Sequence, residues 1–300
     1  MPLDPQVKAH LERCIASGIP PRGEQTIAQT REFYRQAREL AGEPAALPKI
    51  ENGTVHSERR EIPIRLYRPH SGDDLPVLLY LHGGRFISGD LETHDPVCRS
   101  LARLAECVVV AVDYRLAPEH RFPAALEDCY AVAVSLGNGC AVCGDSAGGG
   151  LAAALTHLAR RSNGPWFRAQ VLIYPMLDAS RALPSHIEFA SGYGPSTADM
   201  QRGYHEYAPD EDAKNPMISP LYEESLAGLP PTLVVTAEYD PLRDEGEEYA
   251  RRLREAGVPV EWKRYDGAIH GFFQMGGILD LGKQAIDKVA GYLRRCWREA

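Results

Sequence analysis

The order of local patterns along this 300-residue chain predicts an α/β fold built on a mostly parallel sheet. Three observations carry that expectation. Short, apolar, largely β-branched runs recur at residues 77–81, 107–112, 140–143, 171–174 and 232–236, and such runs suit strands buried on both faces. Helical patterns fill the intervals at 95–105, 124–136, 146–160, 241–256 and 282–297. The alternation itself, strand then helix, is the grammar of a doubly wound sheet with helices on both sides.

Taken in order, the first fifty residues stand apart. Val7, Leu11, Cys14 and Ile15 recur at helical spacing until Ser17-Gly18-Ile19-Pro20-Pro21 breaks the pattern. Ile27, Thr30, Tyr34, Ala37 and Ala41 outline a second amphipathic helix, stopped by Gly42 and Pro44. Helices this short are stable only against something larger. Ile62, Ile64 and Leu66 alternate with charged residues, predicting a half-exposed strand near a sheet edge. The buried strands and their helices follow, with a further strand candidate at 260–265. One interval is too long for a single helix and its loops: about 55 residues separate Tyr174 from Thr232. That insertion, which carries Tyr193, Tyr204 and Tyr207, is expected to lie over the top of the sheet beside the N-terminal helices.

Composition narrows the function classes. Hydrophobic residues at 44% and charged residues at 25% are those of a globular chain, not a disordered one. A net charge of −8 offers no basic face on average, which argues against nucleic acid as a partner. The longest apolar runs are far too short to span a bilayer, so no membrane partner is expected. Residues 1–5 show no signal-peptide pattern, and an odd count of seven cysteines reads as reduced thiols, so a cytoplasmic protein is expected.

The chemistry is concentrated in a few loops. Gly144-Asp145-Ser146-Ala147-Gly148 is a G-x-S-x-G sequence between an apolar strand and an Ala-rich helix. In that context a tight turn projects the serine hydroxyl above the sheet, and glycines relieve the crowding. A serine nucleophile needs a base, and the base needs an orienting acid. Asp240 follows the strand at 232–236, and His270 follows the one at 260–265, both at carboxyl ends where sites form in such sheets. Asp244 and Asp266 are rival acids; Asp240 is preferred because it lies in the loop before the helix. His82-Gly83-Gly84 directly follows the strand at 77–81 and would supply one amide for an oxyanion, with a second from Ala147.

These residues resemble the hormone-sensitive-lipase-like family of α/β-hydrolase esterases. The similarity also includes Asp113-Tyr114-Arg115-Leu116-Ala117-Pro118-Glu119, Phe122-Pro123-Ala124-Ala125, Asp240-Pro241-Leu242-Arg243-Asp244 and His270-Gly271-Phe272. The resemblance implies an α/β-hydrolase fold with a helical cap. Residues 1–50 and 177–222 would form the cap, and 51–176 with 223–300 the catalytic domain. It implies a Ser146, Asp240 and His270 triad, with Gly83, Gly84 and Ala147 as oxyanion amides. The expected activity is hydrolysis of short to medium acyl esters through an acyl-enzyme, with amide or lactone hydrolysis as the enzymatic alternative. A homodimer is compatible with the resemblance, though no feature of the sequence demands one.

Other readings carry less. Plant gibberellin receptors resemble the same family but lack the histidine; here His270 stands in its Gly-Phe context, which favours an enzyme over a receptor. Cys140 and Cys143 form a C-x-x-C with no second ligand pair, so core packing is expected rather than a metal site. Gly137-Asn138-Gly139 lacks the third glycine of a dinucleotide loop, and no phosphate-binding loop occurs, so no cofactor is expected. His82 is expected to shape its loop, and Asp145 to hold the turn. The cap tyrosines either line an acyl pocket or pack the cap. Arg85 stands where the family usually has a third glycine. It is expected to have an ordinary backbone and a side chain leaning toward solvent or an acidic partner in the cap. The alternative is a guanidinium at the pocket mouth that binds a substrate carboxylate.

Overall fold

The computed structural model describes residues 2–17, 24–57, 60–72, 74–180 and 182–298. One eight-stranded sheet runs through it: β1 Lys49–His56, β2 Glu61–Arg68, β3 Val77–Leu81, β4 Val108–Val112, β5 Ala141–Asp145, β6 Ala169–Ile173, β7 Thr232–Tyr239 and β8 Val260–Ile269. The spatial order is β1-β2-β4-β3-β5-β6-β7-β8. β1 and β2 are antiparallel to their neighbours, and the pairs from β4 to β8 are parallel.

β2 sits one place in from the edge, near where its alternation put it. β1, the edge strand itself, was not foreseen. Its sequence, Lys-Ile-Glu-Asn-Gly-Thr-Val-His, carries an Asn-Gly pair and only two large apolar residues, and most of the strand is exposed. Pairing with β2 from Lys49↔Arg68 to His56↔Glu61 makes it a strand where local propensity alone does not.

Two cores form, one on each face of the sheet. α4 (Ala124–Leu136), α5 (Ala147–Arg161) and α8 (Arg243–Glu255) cover one face, packing on alternate strand residues such as Leu79, Val110, Val142 and Leu172. α3 (Asp95–Ala105) and α9 (Asp280–Arg298) cover the other, over Leu78, Val109, Cys143 and Val171. Cys140 and Cys143 are buried in these cores, and burial pushes the Cys140 thiol up to about 12. Among the described residues, no helix is long and apolar enough to cross a membrane.

Two further segments lie on this frame. α1 (Pro5–Ala16) is capped by Asp4, whose side chain accepts from the Gln6 and Val7 amides. α2 (Ile27–Ala37) opens with a capping box between Thr26 and Gln29. Arg31 of α2 reaches the turn after β3, donating to the Ile87 carbonyl at 2.9 Å, the Ala117 carbonyl at 3.1 Å and both oxygens of Glu119.

The stretch between β6 and β7 holds α6 (Ser185–Glu188) and α7 (Thr197–Tyr207). α6 is stitched to the segment that opens α8. Ser185 Oγ donates to the Pro241 carbonyl at 2.7 Å, and the Ser185 amide donates to Asp244 Oδ2 at 2.9 Å. His186 Nε2 lies 2.7 Å from Glu245 Oε1, while Glu245 Oε2 accepts the amides of Leu177 and Asp178. The far leg is held by Glu223, which pairs with Arg160 and Arg161, and whose carbonyl accepts from Arg252.

Burial pushes the Glu245 carboxyl up to about 7, against hydrogen bonds from His186 and Leu177 that favour its charged form. A carboxyl whose folded pKa exceeds its unfolded value contributes stability at low pH and loses it as pH rises through the folded value. Wild type should therefore lose thermal stability relative to Glu245→Gln as pH rises from roughly 5 to 7. Melting curves of both proteins across that window check this; a Tm difference independent of pH contradicts it.

Candidate active site

β5 ends at Asp145 and α5 begins at Ala147, so the chain reverses about one residue, Ser146. Its backbone, φ 54° and ψ −120°, lies where side-chain-bearing residues rarely sit. The surroundings enforce it. A Cβ on Gly148 would fall 2.0 Å from the Leu81 carbonyl oxygen, and one on Gly144 2.1 Å from that of Gly148. Glycine at both positions lets the turn press against β3 and lifts the serine hydroxyl over the sheet.

Ser146 Oγ lies 2.9 Å from His270 Nε2, and His270 Nδ1 lies 2.8 Å from Asp240 Oδ2. Asp240 Oδ1 accepts the Leu242 amide at 2.8 Å, which fixes the carboxylate from behind. All three side chains are buried. The structure thus brings together Ser146, Asp240 and His270 from three separate loops. The rival acids go elsewhere: Asp244 accepts from Ser185 and Arg243, and Asp266 pairs with Arg264.

Behind the serine, Asp145 is completely buried. It accepts from Tyr80 Oη at 2.8 Å, the Gly83 amide at 3.0 Å and Gln274 Nε2 at 2.6 Å, and lies 3.3 Å from His94 Nε2. Burial alone would raise its pKa, but His94 and the hydrogen bonds from His94, Tyr80 and Gln274 outweigh it and hold the carboxyl below its usual value. Asp145 therefore holds the turn, as expected, and it also holds the loop opposite. Gln274 carried no signal in the sequence; only the fold brings it to Asp145.

That arrangement corrects the expected oxyanion donors. The amide of Gly83, one of the three expected, is already given to Asp145. Ala147 is the first residue of α5, where amides have no intrahelical acceptor. Gly84, at φ +134°, opens a turn continued by Arg85 and Phe86 at φ 58° and 64°. The ordinary backbone expected of Arg85 is not found. Its side chain is buried, with Nη1 3.6 Å from Asp199 Oδ1 of α7, so it faces an acidic partner and not solvent.

His82 supports the same loop. Its Nδ1 lies 2.9 Å from the Gly83 carbonyl, and its ring stacks on Tyr114 at 4.2 Å. Burial, with His94 beside it, pushes His82 down to about 4, so it is neutral and shapes the loop rather than carrying charge. Tyr204 and Tyr207 are buried, with Tyr207 stacked on Phe86 at 4.1 Å, and Tyr193 rests on Tyr239 at 5.0 Å. They pack the cap.

A cavity of about 40 Å³ opens beside the histidine, lined by Phe33, Tyr34 and Leu40, by Pro195, and by His270 and Met275. A groove of about 590 Å³ bounded by Trp166, Arg168 and Tyr292 lies at the amino ends of the strands, opposite the serine. The chemistry belongs to the side of the small cavity, which His270, the partner of Ser146 Oγ, helps to line.

A serine on a strained strand-to-helix turn, with histidine and a buried aspartate at the carboxyl ends of neighbouring parallel strands, defines a nucleophile-elbow hydrolase. A family model described as alpha/beta hydrolase fold matches residues 78–274. An arylesterase of Saccharolobus solfataricus is 39% identical over 289 residues, covering 91% of this chain and 92% of its own length. The carboxylic ester hydrolase LipN of Mycobacterium tuberculosis is 38% identical over 296 residues, covering 92% and 79%. A solved hyperthermophilic esterase from Pyrobaculum calidifontis superposes with a TM-score of 0.90 at 40% identity, covering 98% of this chain and 99% of that one. The chain belongs to the α/β-hydrolase family, in its hormone-sensitive-lipase-like branch.

Ser146→Ala should lower kcat by about three orders of magnitude or more, because the three groups act as a unit. Asp240→Asn should be comparably damaging, since it leaves the imidazole in the wrong tautomer, while Asp244→Asn should cost far less. Steady-state kinetics on folded variants check the assignment. It fails if Ser146→Ala keeps more than a tenth of wild-type turnover, or if Asp244→Asn is the worse of the two carboxylate variants.

Proposed function

We propose that the protein is a serine carboxylic-ester hydrolase acting on short to medium acyl esters through an acyl-enzyme. The observation that carries this reading is the unbroken hydrogen-bond relay from Ser146 Oγ through His270 to Asp240. In the first step His270 Nε2 takes the serine proton as Oγ attacks the acyl carbon. Asp240 holds the resulting imidazolium. With the Gly83 amide engaged, the oxyanion donors fall one residue further along the turn, on Gly84 and Arg85, together with Ala147 at the start of α5. His270 then protonates the leaving alcohol. Water, activated by the same nitrogen, releases the acid.

The cap sets the acyl range. On this reading residues 1–50 and 177–222 act as a cap for a catalytic domain of 51–176 and 223–300, and the cavity beside His270, lined from α2, Pro195 and the loop after β8, is small and largely apolar. A narrow, enclosed passage suits a small neutral ester better than a lipid surface. Arylesterase and carboxylic ester hydrolase among the relatives point the same way. The relay also decides against a non-catalytic receptor, because it presents a histidine within reach of the serine hydroxyl.

Turnover of p-nitrophenyl esters from acetate to laurate tests the reading. Activity should be highest from acetate to about octanoate, and a fluorophosphonate should label Ser146 and abolish turnover. Absence of both labelling and turnover overturns the enzyme; a preference for laurate overturns the acyl range.

A further inference from the structure

The turn after β3 contains two consecutive side-chain-bearing residues in the left-handed region, Arg85 and Phe86. Each such residue is unfavourable and persists only where its surroundings over-determine it. From below, the Gly84 carbonyl accepts from the Ile87 amide, the Ser88 amide and Ser88 Oγ. From above, a single face of α7 presses on the turn.

Asp199, Gly203 and Tyr207 are spaced by four and so share that face. All three meet residues 85 and 86. Tyr207 stacks on Phe86. Gly203 sits so close that a Cβ there would lie 2.7 Å from the Arg85 carbonyl oxygen and 2.8 Å from the Arg85 Cβ. Asp199 faces the guanidinium across 3.6 Å, with both side chains almost wholly buried, 3% and 6% exposed. Nor is Asp199 free to follow a moving partner. It is the fourth member of a capping box, its Oδ2 accepting the Ser196 amide and Ser196 Oγ, each at 2.8 Å, which leaves Oδ1 aimed at Arg85.

We infer that Arg85 is a positioning residue: its ion pair with Asp199 fixes the turn that presents the oxyanion donors and makes their geometry depend on the seating of α7. The inference rests on the serine-hydrolase reading. The Arg85 side chain runs to α7, where Asp199 supplies the counter-charge. The pair is buried, so removing either member takes away the other's counter-charge here and loosens the turn. The consequence falls on the transition state, where the oxyanion exists, and not on the neutral ground-state ester. A carboxylate-bearing substrate gains nothing from this guanidinium, because Asp199 already faces it.

The test uses Asp199→Asn, which keeps an acceptor for the capping box, and Arg85→Gly, which relieves the backbone while removing the guanidinium. Each should lower kcat for p-nitrophenyl butyrate by about 10- to 100-fold with KM within threefold. Each should weaken a trifluoromethyl ketone by a similar factor, because Ser146 Oγ adds to its carbonyl carbon, its proton passes to His270, and the new oxyanion needs the same donors. Arg85→Lys should recover part of the loss. The double variant Arg85→Gln/Asp199→Asn leaves no buried charge, so it keeps the test readable if a single variant unfolds; it should be no worse than the worse single variant. Unchanged kcat and unchanged ketone affinity in folded variants would make the pair structural only and overturn the inference. So would a loss confined to KM. Failure of wild type to turn over any ester is a separate outcome, since that defeats the hydrolase reading, whereas the inference is read from variant-to-wild-type ratios.

Discussion

Four groups from distant parts of the chain converge on the Asp145 carboxylate: Tyr80 at the end of β3, Gly83 in the turn that follows, His94 at the start of α3, and Gln274 just past His270. A buried carboxylate is costly unless each of its oxygens is satisfied, so the cluster forms together or fails together. Its position gives it reach. Asp145 precedes the nucleophile by one residue, Gly83 precedes the oxyanion turn by one, and Gln274 follows the base by four. A single desolvated charge thereby fixes three of the loops whose relative placement the reaction requires. It does so without touching the substrate.

The same geometry explains which parts of the site could be read from the sequence. Ser146, Asp240 and His270 sit at strand ends, and strand ends are marked by the change from apolar runs to turn residues. Helices 95–105 and 124–136 are legible with their true limits because the amphipathic pattern of the first, the apolar run of the second and the breaks that bound them are local. The Gly83 assignment failed for a different reason: sequence shows that an amide exists but not where it is spent, and Asp145 had already taken this one. The backbone of Arg85 is illegible for the same reason: its left-handed conformation sits between the hydrogen bonds to the Gly84 carbonyl and α7, more than a hundred residues away. β1 escaped notice because its partner, not its own composition, makes it a strand.

The cap is attached with uneven means. At its near leg, Ser185 and His186 meet the segment that runs from Asp240 to Glu245, so the attachment shares a few residues with the acid of the triad. At its far leg, Arg160, Arg161 and Arg252 gather around Glu223 and its neighbours, on the helices of the frame. Between these anchors α7 lies across the oxyanion turn. The segment between β6 and β7 is thus remote in sequence from the turns it packs on but interlocked with them in space.

The N-terminal helices add a constraint of distance along the chain. Arg31 docks on carbonyls at 87 and 117, the Asp4 amide donates to the Gly267 carbonyl at 3.1 Å, and Gln6 exchanges hydrogen bonds with Asp280. This segment thus finds some of its partners more than 260 residues away along the chain. Closing loops of that length is slow compared with pairing neighbouring strands. Phe33 and Tyr34 of α2 form part of the wall of the cavity beside His270. The α1 segment docks at Gly267 and Asp280 on either side of His270, so both helices bear on the stretch that carries the base.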